Sequence, residues 1–178
     1  MAPVSVDLSA PNGHKWAQPV GIFINNEFVE SKYARTPAVI AQVALASEKD
    51  FDKAVQAAVD AFSHPDWRRL SGTNRGKLMF RLADLMEENL SRLKGDVEDT
   101  IKIVRYYAGY ADKSFGQVID TGADKLAYIL KEPIGVCGLV VPWNFPLNMA
   151  ITKLAPSLCC DNTVILEPSS EVTPLSVL

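Results

Sequence analysis

Apolar and polar positions along this chain of 178 residues fall first in short alternating runs, then at helical spacing, then in short runs again. Residues 1–20 are rich in Pro, Ser and Asn with no period, and predict a loose arm. The stretch "GIFINNEFVES" sets two short β runs around Asn25 and Asn26, a hairpin signal, because Asn tolerates the left-handed backbone of a tight turn. From Ser47 the period lengthens. Phe51, Ala54, Val55, Ala58 and Phe62 share one face of a helix, and Ser47 with Asp50 has the spacing of a capping box. A second helix is expected after "SGTNRGK", with Leu78, Leu82, Leu85, Met86 and Leu93 on its buried face. A third runs through Ile101, Val104, Tyr107, Ala108 and Ala111, and Gly95 separates the two.

After Gly116 strand-like sequence returns, with "VID" and "LAYIL" flanking the turn residues Thr121 to Asp124. The apolar run "IGVCGLVV" then stops at Pro142, which lacks the backbone donor a central strand requires, while Pro146 suits the first turn of a helix. "PWNFP" therefore reads as a rigid corner between a buried strand and a helix. Such corners at strand ends are where α/β proteins build sites, and this one carries an uncharged hydrogen-bonding side chain, Asn144. "NTVILEP" gives another strand, Val164 to Leu166, ended by Pro168. Thr173 and Pro174 are spaced as the N-cap and first residue of a further helix. Strand, helix, strand and helix start are the opening of a doubly wound parallel sheet.

Composition narrows the function. A net charge of −3 argues against nucleic acid as principal partner, since that contact needs clustered Lys and Arg. The N-terminus has neither a basic start nor an apolar core of signal-peptide length, and no apolar run could span a bilayer, so the chain is expected in the cytoplasm, away from membranes. Cys137, Cys159 and Cys160 are odd in number and lack CxxC spacing, and His14 and His64 lie far apart. Neither a disulfide framework nor a metal site is expected, and each cysteine reads as a small buried hydrophobe.

In "FINNEFV", "RGKLMFRLADLMEENL", "RYYAGYADK", "EPIGVCGLVVPWNFP" and "TPLS", taken in order, the chain resembles the N-terminal part of NAD(P)-dependent aldehyde dehydrogenases. The resemblance covers nearly everything after the arm. It implies an incomplete α/β fold of the aldehyde dehydrogenase type, in which a helical layer precedes the first strands of a Rossmann-like sheet. The divisions expected are an arm over 1–20, hairpin and helices over 21–117, a β arm used between subunits over 118–132, and the start of the coenzyme-binding sheet over 133–178. The family reaction passes hydride from a thiohemiacetal to NAD(P)+, and the resulting thioester is hydrolysed to a carboxylic acid. By the matching motif, Asn144 is the residue whose amide stabilises the oxyanion, a donor whose loss costs ~3 kcal/mol in such sites. Val140, Val141, Pro142 and Trp143 would lie along the nicotinamide side of the cofactor.

The departures from the family pattern matter as much. The family's nucleophilic Cys, its base Glu and its glycine-rich segment fall beyond the residues matched here, and Cys159 and Cys160 lack the electropositive setting of a reactive thiolate. "ESKYARTPAVIAQVALA" and "SRLKGDVEDTIKIV" are shorter than their family counterparts. Glu167 stands where the family places a ribose-binding Lys, and Glu171, with Ser170 as the alternative, matches the following family Glu. Glu167 could accept from ribose hydroxyls but would repel a 2′-phosphate by about 4 kcal/mol at ~4 Å and an effective dielectric of ~20, which favours NAD over NADP. Asp161 replaces a common Gly, a poorer choice if the backbone there needs positive φ. The expectation is an inactive, degenerate relative that binds NAD weakly. The alternatives are a non-enzymatic subunit of a full-length aldehyde dehydrogenase, or a decayed gene product, and unpaired sheet edges would favour self-association.

Overall fold

The computed structural model describes residues 4–9, 15–29, 33–35, 43–89 and 97–169. Its first element corrects the expected loose arm: β1 (Ser5–Ser9) and β2 (Lys15–Pro19) pair antiparallel. Val6 and Leu8 are half-buried while Ser5, Asp7 and Ser9 are exposed, a period-two pattern only five residues long and flanked by Pro3 and Pro11. The ribbon leads into buried Val20, whose N–H donates to the Val4 carbonyl at 2.8 Å. The hairpin forms as expected, with β3 (Ile22–Ile24) and β4 (Glu27–Val29) joined by Asn25 and Asn26 at φ 53° and 63°. A further ribbon, β5 (Tyr33–Arg35) with β6 (Val43–Leu45), was not anticipated.

Helix α1 (Glu48–Ser63) begins at the expected capping box: Ser47 Oγ accepts from the Asp50 N–H at 3.3 Å, and Asp50 Oδ2 accepts from the Ser47 N–H at 3.0 Å. Ala58 is buried on its inner face, but Phe51 at the first turn is exposed. A single turn, α2 (Pro65–Arg68), leads to α3 (Gly72–Glu88), capped by Ser71, so that "GTNRGK" lies inside the helix rather than before it.

The buried stripe of α3 corrects the expected face. Leu78, Leu82 and Leu85 are exposed, and the inward residues are Arg75, Gly76, Met79 and Ala83. The reason is close approach by α4 (Val97–Tyr110): a Cβ at Gly76 would stand 2.6 Å from the Ala108 carbonyl oxygen, so the contact selects small residues, and the leucines flank it. Ile101, Val104 and Ala108 on α4 and Ala111 just beyond it are buried as expected, with Tyr107 half-buried.

Beyond α4, β7 (Gln117–Ile119) and β8 (Ala127–Ile129) form the expected antiparallel hairpin, its turn closed by Thr121 Oγ1 donating to the Lys125 carbonyl and by Gly122 at φ 87°. The parallel unit follows: β9 (Val136–Val140), α5 (Pro146–Cys159) and β10 (Thr163–Glu167), with Val136 opposite Thr163 and Val140 opposite Glu167. Ile151, Ala155 and Cys159 carry the inner face of α5 into one core with Met79, Ala83 and the buried face of α4. Leu93, Gly95, Ser170, Glu171, Thr173 and Pro174 lie outside the described residues.

Candidate functional site

Two parallel strands run side by side to Val140 and Glu167, and between their C-terminal ends the chain turns through residues 141–145 into α5. Val141 is buried and its N–H donates to the Glu167 carbonyl at 2.9 Å, which locks the end of β9 to the end of β10. Everything after it in the corner faces outward. Pro142, Trp143, Asn144 and Phe145 are all exposed, Trp143 at 61%, and Val140 itself is 64% exposed. Phe145 sits in left-handed backbone at φ 53°, unusual for an aromatic residue, and provides no side-chain cap to α5. Pro146 then opens the helix at the position where its missing N–H costs nothing.

The Asn144 carboxamide has no partner among the described residues. An exposed amide held between a buried strand end and a proline-initiated helix has a fixed backbone and a free donor, the combination wanted for charge that appears only during a reaction. The structure brings Val140, Val141, Pro142, Trp143, Asn144 and Glu167 to one edge, and leaves Glu171 outside the described residues. Val141 contributes through its backbone, since its side chain faces the interior.

Sequence reasoning missed Lys153. Its Nζ donates to the Val140 carbonyl, tying α5 back to the end of β9 and bracing the corner from the helix side. Its spacing gave the signal: Lys153 is seven residues after Pro146, two turns along the same helical face.

The groups at this edge that could hold the amide and hydroxyl groups of a nicotinamide riboside are the Asn144 carboxamide and the Glu167 carboxylate, both exposed and without a side-chain partner among the described residues. Among the described residues no group of three His, Cys, Asp or Glu could hold a metal ion, and no helix is long and apolar enough to cross a membrane.

The cysteines divide by environment. Cys159 is buried as expected, Cys137 is half-buried and Cys160 is exposed, which corrects the reading of all three as buried hydrophobes. Cys160 is turned out because it is the C-cap of α5, where the inward stripe has already ended. Burial pushes the Cys159 thiol up to about 11, with neighbouring Cys160 adding to the effect and Arg75 opposing it. A thiol so placed is inert as a nucleophile near neutral pH.

At the far end of α5, Asp161 has φ 68°, the positive value for which Gly would be the easier residue. Its carboxylate accepts from Arg75 Nη1 at 2.9 Å and its carbonyl from Trp67 Nε1 at 3.2 Å. Arg75 also donates to the carbonyls of Cys159 and Leu70, both at 3.2 Å. The strained residue is thus held by a buried guanidinium.

Comparison with known proteins places the chain among relatives of one kind. Residues 24–178 match the profile of the aldehyde dehydrogenase family. An aldehyde dehydrogenase of Davidiella tassiana is 45% identical over 197 aligned positions, covering 98% of this chain and 39% of the relative. Retinal dehydrogenase 2 of Mus musculus is 44% identical, covering 96% of this chain and 38% of the relative. Among solved structures, the NAD+ complex of an aldehyde dehydrogenase from Bacillus cereus superposes with a TM-score of 0.82 at 35% identity, covering 89% of this chain and 37% of that one. The chain spans about two fifths of the length of the curated relatives it matches. The alignment with the Davidiella tassiana protein is longer than the 178 residues of the chain, so that relative carries internal residues absent here.

Proposed function

Because the chain belongs to the aldehyde dehydrogenase family, we propose that its β9–α5–β10 unit provides the nicotinamide-side wall and the oxyanion donor of an aldehyde-oxidising site that takes NAD. The observation that supports this reading is the exposed Asn144 carboxamide, unpartnered among the described residues, at the C-terminal edge of two parallel strands. When bound, NAD+ accepts the hydride. Asn144 donates to the oxygen that becomes negative, while Pro142, Trp143 and the Val141 backbone shape the face beside it.

These residues by themselves do not complete the chemistry. Covalent aldehyde oxidation needs an activated thiolate, and Cys159 is buried with a raised pKa while Cys160 lies at the opposite end of α5 from Asn144. A polypeptide of these 178 residues is therefore read as a weak NAD binder without turnover, a pseudoenzyme in isolation, resident in the cytoplasm. The test is calorimetric titration with NAD+, followed by NADH absorbance in the presence of an aliphatic aldehyde. Saturable binding with no NADH above a protein-free control is expected. Lack of saturable binding would overturn the cofactor reading, and steady NADH formation lost in Asn144→Ala would overturn the inactivity.

A second reading, a subunit that pairs with a full-length aldehyde dehydrogenase or with another copy of itself, is favoured by the β7–β8 hairpin. Val118 is 79% exposed, Leu126 78% and Ile134, just beyond, 87%. An isolated two-stranded hairpin is marginal in water, and apolar side chains on such a ribbon favour a partner chain. Light scattering on the purified chain, with and without a full-length relative, tests it: a monodisperse monomer that ignores the relative would remove this reading.

A further inference from the structure

We infer that the leucine stripe of α3 is a contact surface for a second copy of this chain, whose own α3 lies antiparallel against it. Leu78, Leu82 and Leu85 recur at spacings of four and three, which sets them in one line along the helix. All three are exposed, Leu78 at 59%, because the close approach of α4 takes Gly76 and Ala83 inward in their place. A line of leucines facing water is unfavourable until a second apolar surface covers it.

The charges identify that surface. Beside the leucines, Arg81 and Glu88 lie seven residues apart and therefore in one column, paired within the chain at 3.0 Å and both exposed. Asp84 and Glu87 belong to the opposite flank, where Arg105 of α4 donates to both. Along α3 every base (Arg75, Lys77, Arg81) precedes every acid (Asp84, Glu87, Glu88), and the first turn has no acid and the last turn no base. This order runs against the helix dipole, which favours acids at the N-terminal end and bases at the C-terminal end. An isolated helix gains nothing from it. A second α3 running the other way does: Arg81 of each copy reaches Glu88 of the other, Leu82 meets Leu85, and the two dipoles oppose. Parallel copies would set Arg81 against Arg81 and Glu88 against Glu88, so the charges select the antiparallel pair. The contact is two-fold, the same patch serving both chains, and it is separate from the β7–β8 hairpin. It spans about two heptads, so the association is weak and depends on concentration.

The test is sedimentation velocity of the full chain over a concentration series, with circular dichroism to verify that each variant keeps its helices. The wild type is expected to pass from monomer to dimer as concentration rises. Arg81→Glu and Glu88→Arg, each alone, should weaken the dimer about tenfold by setting like charges across the two-fold, and Leu82→Lys should abolish it. An equimolar mixture of the Arg81→Glu and Glu88→Arg chains should recover the wild-type affinity as a heterodimer, since opposite charges then meet only between chains. A wild type that stays monomeric at every concentration would overturn the inference, as would a mixture that associates no more tightly than its components. Self-association that survives Leu82→Lys but is lost in Val118→Lys would assign the contact to the β7–β8 hairpin and exclude α3.

Discussion

At its C-terminal end helix α5 is held by groups from three directions: Arg75 on the Cys159 carbonyl and the Asp161 carboxylate, Trp67 on the Asp161 carbonyl, and the Asn162 side chain bridging the Gly135 N–H to the carbonyls of Ser157 and Cys160. Thr163, the next residue, donates its hydroxyl to the Ala58 carbonyl on α1 at 2.8 Å. At its N-terminal end the same helix meets a corner whose Trp143, Asn144 and Phe145 side chains are exposed and whose carboxamide is unpartnered among the described residues. One end is satisfied and the other left open. A catalytic or binding group needs a rigid backbone and an unoccupied side chain, and anchoring α5 at the end away from the corner would supply both to the proposed site.

That contrast breaks most readily at the anchor. Arg75→Ala removes the guanidinium from two backbone carbonyls and a carboxylate, and loss of one member of a buried pair costs about 3 kcal/mol. The urea midpoint should fall accordingly, with the corner loosened as α5 loses its hold.

The buried thiol at the same end sharpens the contrast through pH. A proton stays on Cys159 in the folded chain up to about 11 but leaves at the ordinary thiol pKa when the chain unfolds. The unfolded state then binds fewer protons than the folded one, so this stabilising contribution is whole below the ordinary thiol pKa and is lost as pH rises toward about 11. Unfolding midpoints should decline across that alkaline window more steeply in the wild type than in Cys159→Ala. Near neutral pH a thiol reagent should modify exposed Cys160 well before Cys159.

Asp161 provides a smaller test. Substitution by Gly loses the ion pair to Arg75 but relieves positive φ, whereas Ala loses the pair and keeps the strain. Asp161→Ala should be less stable than Asp161→Gly by about 1 kcal/mol.

The smallest effect belongs to the open corner. Asn144→Ala should leave the melting midpoint within the equivalent of about 0.5 kcal/mol of wild type, as expected for an exposed side chain without partners among the described residues. A large loss of stability would mean that the amide serves the fold.

These two ends also differ in how far the sequence exposed them. The corner was legible, because Pro142 and Pro146 punctuate the chain by backbone chemistry alone, and the same holds for the Asn25–Asn26 hairpin and the Ser47–Asp50 cap. Even the positive φ of Asp161 was foreseeable as a departure from Gly. Its solution was not, since Arg75 is 86 residues away and a buried arginine has no signature in a helical pattern. The leucines of α3 misled because period identifies a face but not how close the facing helix comes, and Gly76 with Ala83 shifted the contact off the bulky residues. The β1–β2 ribbon escaped notice because five alternating residues between prolines carry little pattern.

The central claim, that α5 is anchored at one end so that a dinucleotide can bind at the other, is tested most directly by backbone amide NMR of the chain titrated with NAD+. The account predicts progressive shifts in residues 140–145 and at Glu167, with residues 159–163 unmoved. Shifts concentrated at Cys159 to Thr163, with the Val140 to Phe145 corner silent, would contradict it.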